Sequence, residues 1–564
     1  MRVPSTAAVA AATPAARTGV RRLRVDGYEL GLLALLGALS MWVVATDIYQ
    51  AAQHGLVWTR TDGFFIVDQM QYLAWIQSAS QHLLVSNLYV LRSTPADYLQ
   101  PAILISAALL KVGMAPWLTL MLWKPVAVIG IFLAARGAVH HFFTRRIDRR
   151  VALTLALLFA SLSSVYGSLG VVGDMMPMWL SWGYPFGLIA SALIVFALLR
   201  YGRARTAGQL AWGPGLLGAL ASSLHPWQGE LLILVLGGAE LVRAPETLRL
   251  LRGVGGPSGR AWRLRLINPE LMLPLVTIAL TLAPLLYYLA LGHLDINWDM
   301  ARQASKHAFS FWAIALGAAP LAVFAVLGYR GRPADFFELT MRMWVPAALV
   351  IYVLSATALS ATPLHAFNAI TIPLALLAVK GVRQTGLARI PRARVLVVIA
   401  VLFGTIPANV YTLVYSHTYT EPQLNNANFI THDERDALDY LADARAPGGV
   451  LSQFYLGDYV PGHTGRHAFV GDCLWSEPRC IPRSEAADAL FDGELSRPAA
   501  RRFVLQTGAR FLLASCKTSG VDLRRSLGSL VVSTRRFGCA AVYELTAPPR
   551  PSGTFVSAGS RHPA

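Results

Sequence analysis

The chain has 564 residues, 55% of them apolar and 14% charged, with a mean hydropathy of +0.47 and a formal net charge of +18. That composition excludes a single soluble domain. Apolar runs of about 20 residues recur, the length that crosses ~30 Å of hydrocarbon, so the sequence is that of a multi-spanning membrane protein.

Residues 1–27 are rich in Ala and Arg without an apolar period and are expected to be a disordered cytoplasmic tail. Spans are expected near 28–50, 118–140, 151–170, 179–200, 208–224, 229–243, 271–292, 309–328, 343–361, 366–381 and 395–416. On that map alternate loops are basic. One side, with the tail, holds 27 of the 49 Lys and Arg residues; the opposite loops between spans hold only Arg60, Arg92, Lys111, Lys124, Arg302 and Lys306. This is the positive-inside pattern, and it gives eleven helices with the N-terminus inside and the C-terminus outside. The basic charge therefore orients the protein in a membrane, and no nucleic-acid partner is needed to explain it.

Residues 51–117 form a large first outer loop. Within it, Trp58–Leu84 carries Ile66, Met70, Leu73 and Ile76 at helical spacing, with Asp68, Gln71, Tyr72 and Trp75 on another face. The spacing predicts an amphipathic helix lying on the membrane surface. A second apolar helix is expected near Pro101–Leu110. The Arg243–Arg265 loop interleaves leucines and Trp262 with arginines and is expected on the inner leaflet.

After Ser416 the composition turns soluble. Helices are expected at Asp433–Ala444, Glu485–Phe491 and Pro498–Gln506, and strands at Gly449–Ser452, Arg510–Ala514 and Ala540–Leu545. Residues 417–545 are thus expected to be an extracytoplasmic α/β domain, followed by a disordered tail at 546–564. All four cysteines, Cys473, Cys480, Cys516 and Cys539, lie here, on the side where disulfides persist. Three pairings are open; Cys473–Cys480 with Cys516–Cys539 is preferred.

Ionisable groups at membrane depth are costly, so each is a functional candidate. Those on the outer side cluster: Asp62 and Asp68 in the first loop, Lys124 at the outer end of the second span, His225 between two spans with Glu230 beyond it, and Asp174, Asp295, Asp299, Lys306, His307 and His365. A carboxylate can take a proton from an acceptor hydroxyl while Lys or protonated His neutralises a departing phosphate. Competing structural roles are capping for Asp62, snorkelling for Lys124 and satisfaction of backbone carbonyls for His225 and His365. No Gly-rich nucleotide loop and no zinc-ligand spacing occurs.

The long first span, the acidic first outer loop, the many further spans and the terminal α/β domain resemble the integral-membrane glycosyltransferases of superfamily C. These include protein O-mannosyltransferases, aminoarabinose transferases and arabinosyltransferases. The motif is VDQMQYL, with Asp68 at the acidic position; Tyr455–Pro478 also looks like a stretch in the terminal domains of such bacterial proteins. The resemblance implies an inverting transferase in a bacterial cytoplasmic membrane. A polyprenyl-phosphate-linked sugar would be the donor, and an extracytoplasmic glycan, lipid or protein the acceptor. It implies Asp68 as base with Asp62 nearby, and Lys124 with His225 or His365 on the donor phosphate. Many members carry Asp-Glu or Asp-Asp where this chain has Asp68-Gln69, so a divalent metal stays open and no other cofactor is implied. A non-catalytic assembly or anchoring factor and a lipid or solute transporter are the alternatives.

Overall fold

The computed structural model describes residues 26–160, 173, 175–253, 269–304, 311–357, 363–385, 391–419, 421–422, 426–476, 478–518 and 520–546. Expectations for the two tails, for Asp174, Lys306 and His307, and for most of the Arg243–Arg265 loop lie outside these residues.

Seven helices of the described chain are long and apolar enough to cross a membrane: Gly27–His54, Pro116–Phe142, Pro185–Ala207, Leu271–Leu294, Phe311–Gly328, Phe336–Ser355 and Ile399–Thr418. The other four predicted positions also contain helix among the described residues, with 161–170 lying outside them. Among them, Arg146–Leu158, Gly213–Leu224 and Thr371–Gln384 have 13, 12 and 14 residues. At 1.5 Å per residue such helices fall short of a full crossing. The first helix starts at a capping box: Asp26 accepts from the backbone at one end while the Glu29 side chain returns to the Asp26 N–H. Glu29 then pairs, buried, with Arg136 at 2.9 Å, tying the first helix to the Trp123–Phe142 helix.

The first-loop helix forms at Ile66–His82, but it does not lie on a surface. Gln69, Gln71, Tyr72 and Trp75 are buried along with its apolar stripe. The reason is tertiary. The Phe454–Thr464 helix of the terminal region lies along it, and the approach is close: a Cβ on Gly462 would sit 2.7 Å from the Leu73 Cβ. Gln77 Nε2 donates to the Gly462 carbonyl at 3.2 Å. A polar face that looks solvated in sequence is here an interface for another helix. The second loop helix follows at Pro101–Lys111, opened by Pro101 and capped by the Gln100 side chain.

A short strand, β1 (Val57–Trp58), pairs antiparallel with β2 (Phe429–Ile430), so the first loop and the terminal region are stitched by backbone hydrogen bonds. Asn428 tightens the seam, accepting from Thr61 Oγ1 at 2.7 Å. Beside it the chain must be glycine at Gly63, because a Cβ there would meet Asn428 Nδ2 at 2.1 Å.

The terminal region holds a four-stranded sheet of order β3 (Val450–Ser452), β4 (Phe511–Ala514), β6 (Ala540–Leu545), β5 (Val531–Phe537). β3 runs parallel to β4; the other neighbours are antiparallel. Helices at His432–Asp443, Cys480–Phe491 and Arg497–Thr507 cover it, over a core that includes Leu451, Phe491, Val504, Leu512 and Tyr543. Strand β5 and the Phe454–Thr464 helix had no clear signal, since β5 is mostly polar and the helix contains Gly457, Pro461 and Gly462. Both preferred disulfides are present, Cys473–Cys480 and Cys516–Cys539.

Candidate functional site

A cavity of about 310 Å³ opens where the first-loop helix, the break between two spans and the terminal region meet. Asp68, in the first turn of the Ile66–His82 helix, reaches it half-buried. That position matters electrically: the unsatisfied N–H groups of a helix N-terminus favour a carboxylate in its charged form.

His225 ends the Gly213–Leu224 helix and Pro226 starts the next, so the backbone turns sharply with the imidazole facing the cavity. The short helical turn Pro363–Phe367 brings His365 to the same wall. Tyr184 joins the two, its hydroxyl 2.8 Å from His225 Nε2 and 3.1 Å from His365 Nε2. His225 Nδ1 is engaged by Gln228, whose amide in turn donates to the His365 carbonyl at 3.0 Å. Both ring nitrogens of the buried His225 thus have protein partners, which suits it to holding Tyr184 and His365 in place.

Lys124 and Asp62 lie elsewhere. They form an ion pair with each other, with side-chain exposures of 8% and 2%, and Lys124 also donates to the Ser181 carbonyl at 2.5 Å. Neither lines the cavity of Asp68. Asp62 precedes the Gly63–Phe65 turn without a capping hydrogen bond, because its carboxylate is turned to Lys124. Burial pushes the Asp62 carboxyl above the usual range, and the Lys124 charge opposes that shift. The sequence-based grouping of five site residues therefore splits: Asp68, His225 and His365 meet, while Asp62 and Lys124 pair off.

The cavity has members beyond the expected site residues, of which Trp75 was read from the spacing, on the helix face of Asp68. Arg302, on the Ile296–Ala304 helix, brings a guanidinium, held at 2.5 Å by Asp299. Trp75, Tyr98, Trp298 and Trp475 form an aromatic wall, with ring centroids 4.3 Å apart for Tyr98–Trp298 and 4.6 Å for Trp298–Trp475. Trp475 comes from the terminal region, inside the Cys473–Cys480 loop; Asn87 Nδ2 holds its carbonyl at 2.8 Å. The only available signal was the density of aromatic residues, which interfacial anchoring explains equally well.

Two more terminal-region carboxyls, Asp458 and Asp472, are buried close enough to Asp68 to feel its charge. Burial is the main force on each. It lifts Asp458 well above the carboxylate range, helped by Asp472 and Asp68. It lifts Asp472 to about 8, with the Leu474 N–H opposing and Asp68 adding. Burial thus disfavours the charged form of two potential like-charge neighbours of Asp68.

Among the described residues the one cluster of three potential metal ligands is Asp433, Cys516 and Cys539, and its two sulfurs are joined in a disulfide.

No protein-family model matches the sequence, and no curated protein matches it. Solved structures do. The oligosaccharyltransferase of Archaeoglobus fulgidus in its apo form aligns over 92% of this chain and 75% of its own, with a TM-score of 0.50 and 11% identity. ArnT from Cupriavidus metallidurans bound to undecaprenyl phosphate aligns over 91% of this chain and 98% of its own, with a TM-score of 0.48 and 13% identity.

Proposed function

We propose that this chain, built on the fold of the superfamily C membrane glycosyltransferases, transfers a sugar from a polyprenyl-phosphate donor to an acceptor hydroxyl. The reaction takes place on the extracytoplasmic side of a bacterial cytoplasmic membrane. One observation carries the reading: a single cavity joins Asp68, the Tyr184-linked histidines, Arg302 and an aromatic wall to Leu224, Leu285 and Leu289. The leucines suit an isoprenoid tail, the rings suit the C–H faces of a sugar, and Arg302 suits a phosphate.

In the proposed step Asp68 accepts the acceptor hydroxyl proton as the acceptor oxygen bonds to the anomeric carbon. The bond from that carbon to the phosphate oxygen breaks, and its electron pair leaves with the polyprenyl phosphate. Arg302 and His365 offset the charge that develops there. His225 acts through Tyr184, as a positioning group. The helix N-terminus supports the ionised state of Asp68 that a base requires, and burial disfavours a competing charge on Asp458 and Asp472. The crowding of Lys and Arg into the opposite loops, 27 of 49, supports an outward-facing cavity.

The test is donor turnover by the purified protein with a panel of polyprenyl-phosphate sugars. Asp68→Asn is expected to lower transfer by about 10²–10⁴-fold with intact disulfides and unchanged yield. Full activity of Asp68→Asn would remove Asp68 from the chemistry. A wild-type protein that consumes no donor in the panel would overturn the transferase reading itself.

A further inference from the structure

A second cavity, of about 280 Å³, lies on another side of the first-loop helix and shares no lining residue with the cavity of Asp68. It is bounded by β1 and Arg60, by Ala115–Trp117, and by Arg435, Asp439 and His463 of the terminal region. Hydrogen-bond donors dominate it. Arg60 is exposed and, among the described residues, makes no ion pair or hydrogen bond; its guanidinium lies 5.2 Å over the Trp117 ring. The buried indole N–H of Trp117 has no acceptor among the described residues. Arg435 is held only loosely by Asp439, at 3.6 Å, while Asp439 is taken at 2.7 Å by His463.

Backbone conformation adds a second, separate observation. Arg60 has a φ of 68°, one of three non-glycine residues in the left-handed region among the described residues. Such a conformation disfavours an arginine and recurs where a side chain must be aimed. Here the cation lies at a cavity where the Trp117 indole N–H lacks an acceptor and Arg435 has only a loose one. The location fixes the height: Pro116 and Trp117 begin a membrane-crossing helix, and tryptophans at span ends sit among lipid headgroups.

We infer that this cavity binds the phosphate headgroup of an anionic glycerophospholipid, with Arg60 and Arg435 on the phosphate and Trp117 as platform and donor. The site shares no lining residue with the cavity proposed for sugar transfer. It would seat one lipid where the first loop and the terminal region are joined by β1 and β2, and so couple membrane composition to the seam that shapes the other cavity.

The experiment measures lipid retained by the full detergent-purified chain in native mass spectrometry. Phosphatidylglycerol, phosphatidylcholine and inorganic phosphate are presented separately. Wild-type protein is expected to retain one phosphatidylglycerol in preference to phosphatidylcholine, and inorganic phosphate at equal concentration is expected not to displace it. Each basic residue near a lipid surface contributes about five-fold in affinity, so Arg60→Gln/Arg435→Gln is expected to weaken retention by roughly 25-fold. Asp439→Asn, which removes the one acid at the rim, is expected to strengthen it several-fold. A misfolded variant cannot produce that gain. Retention by Arg60→Gln/Arg435→Gln equal to wild type, weaker retention in Asp439→Asn, or full displacement by inorganic phosphate would each overturn the inference.

Discussion

Lys124→Met separates two roles for a lysine that the sequence presents as a phosphate ligand and the structure buries against Asp62. The lysine has an exposure of 8% and its partner 2%, so little water is available to replace the lost contact. One Asp62 oxygen, Oδ1, is already buried without a hydrogen-bond partner, and the other would lose its cation. Breaking one half of a buried pair in this way costs about 3–5 kcal/mol. In a chain of this size that corresponds to a fall of about 3–4 °C in thermal midpoint. The sign of the pH dependence follows from Asp62, whose carboxyl is already raised by burial and would rise further without Lys124. A carboxyl raised in the folded state is harmless while protonated, so the penalty is smallest in acid and grows as pH rises through its folded pKa. Adding Asp62→Asn to Lys124→Met removes the stranded charge and is expected to recover most of the loss. Thermal unfolding of purified protein across pH, with donor turnover in parallel, reads all of this. A variant that melts like wild type would refute the energetic reasoning. One that loses turnover with an unchanged midpoint would return Lys124 to the phosphate.

Tyr184→Phe removes the hydroxyl shared by His225 and His365. It is expected to lower turnover about ten-fold and to cost about 1–3 kcal/mol for the two unpaired nitrogens, measured by kinetics and thermal melting. Opening the Cys516–Cys539 bridge with a double serine substitution frees a loop of sequence separation 23 and is expected to cost about 3 kcal/mol, visible as a lower midpoint in the terminal region alone. Asp472 is raised to about 8, so its contribution to stability is present at low pH and is lost as pH rises from about 4 to 8. Asp472→Asn, which resembles the protonated form, is expected to flatten that fall between about pH 4 and 8 and so to be more stable than wild type at neutral pH, read by thermal unfolding across pH.

Sequence alone carries what depends on local pattern. The apolar runs announced the spans because crossing hydrocarbon needs a fixed length of apolar helix; seven of the expected positions hold helices long and apolar enough to cross, and helix is present within each of the other four among the described residues. The alternation of charge oriented them on paper. Strand Ala540–Leu545 matches its expected limits, and both cysteine pairs joined as preferred, since each pair is close in sequence with turn or hairpin chain between. Asp68 could be read as an acid near a helix start for the same reason, as could the break at His225 from the proline beside it. What the tertiary structure decided is which charged groups meet. Asp62 and Lys124 are 62 residues apart and chose each other because a buried carboxylate and a buried ammonium cannot both be left bare. Trp475 reaches the cavity, and Asp458 and Asp472 come within electrostatic range of Asp68, only because the terminal region docks along the first-loop helix, burying a face whose spacing alone implied water. Periodicity tells which residues share a side of a helix, but only packing tells what covers that side.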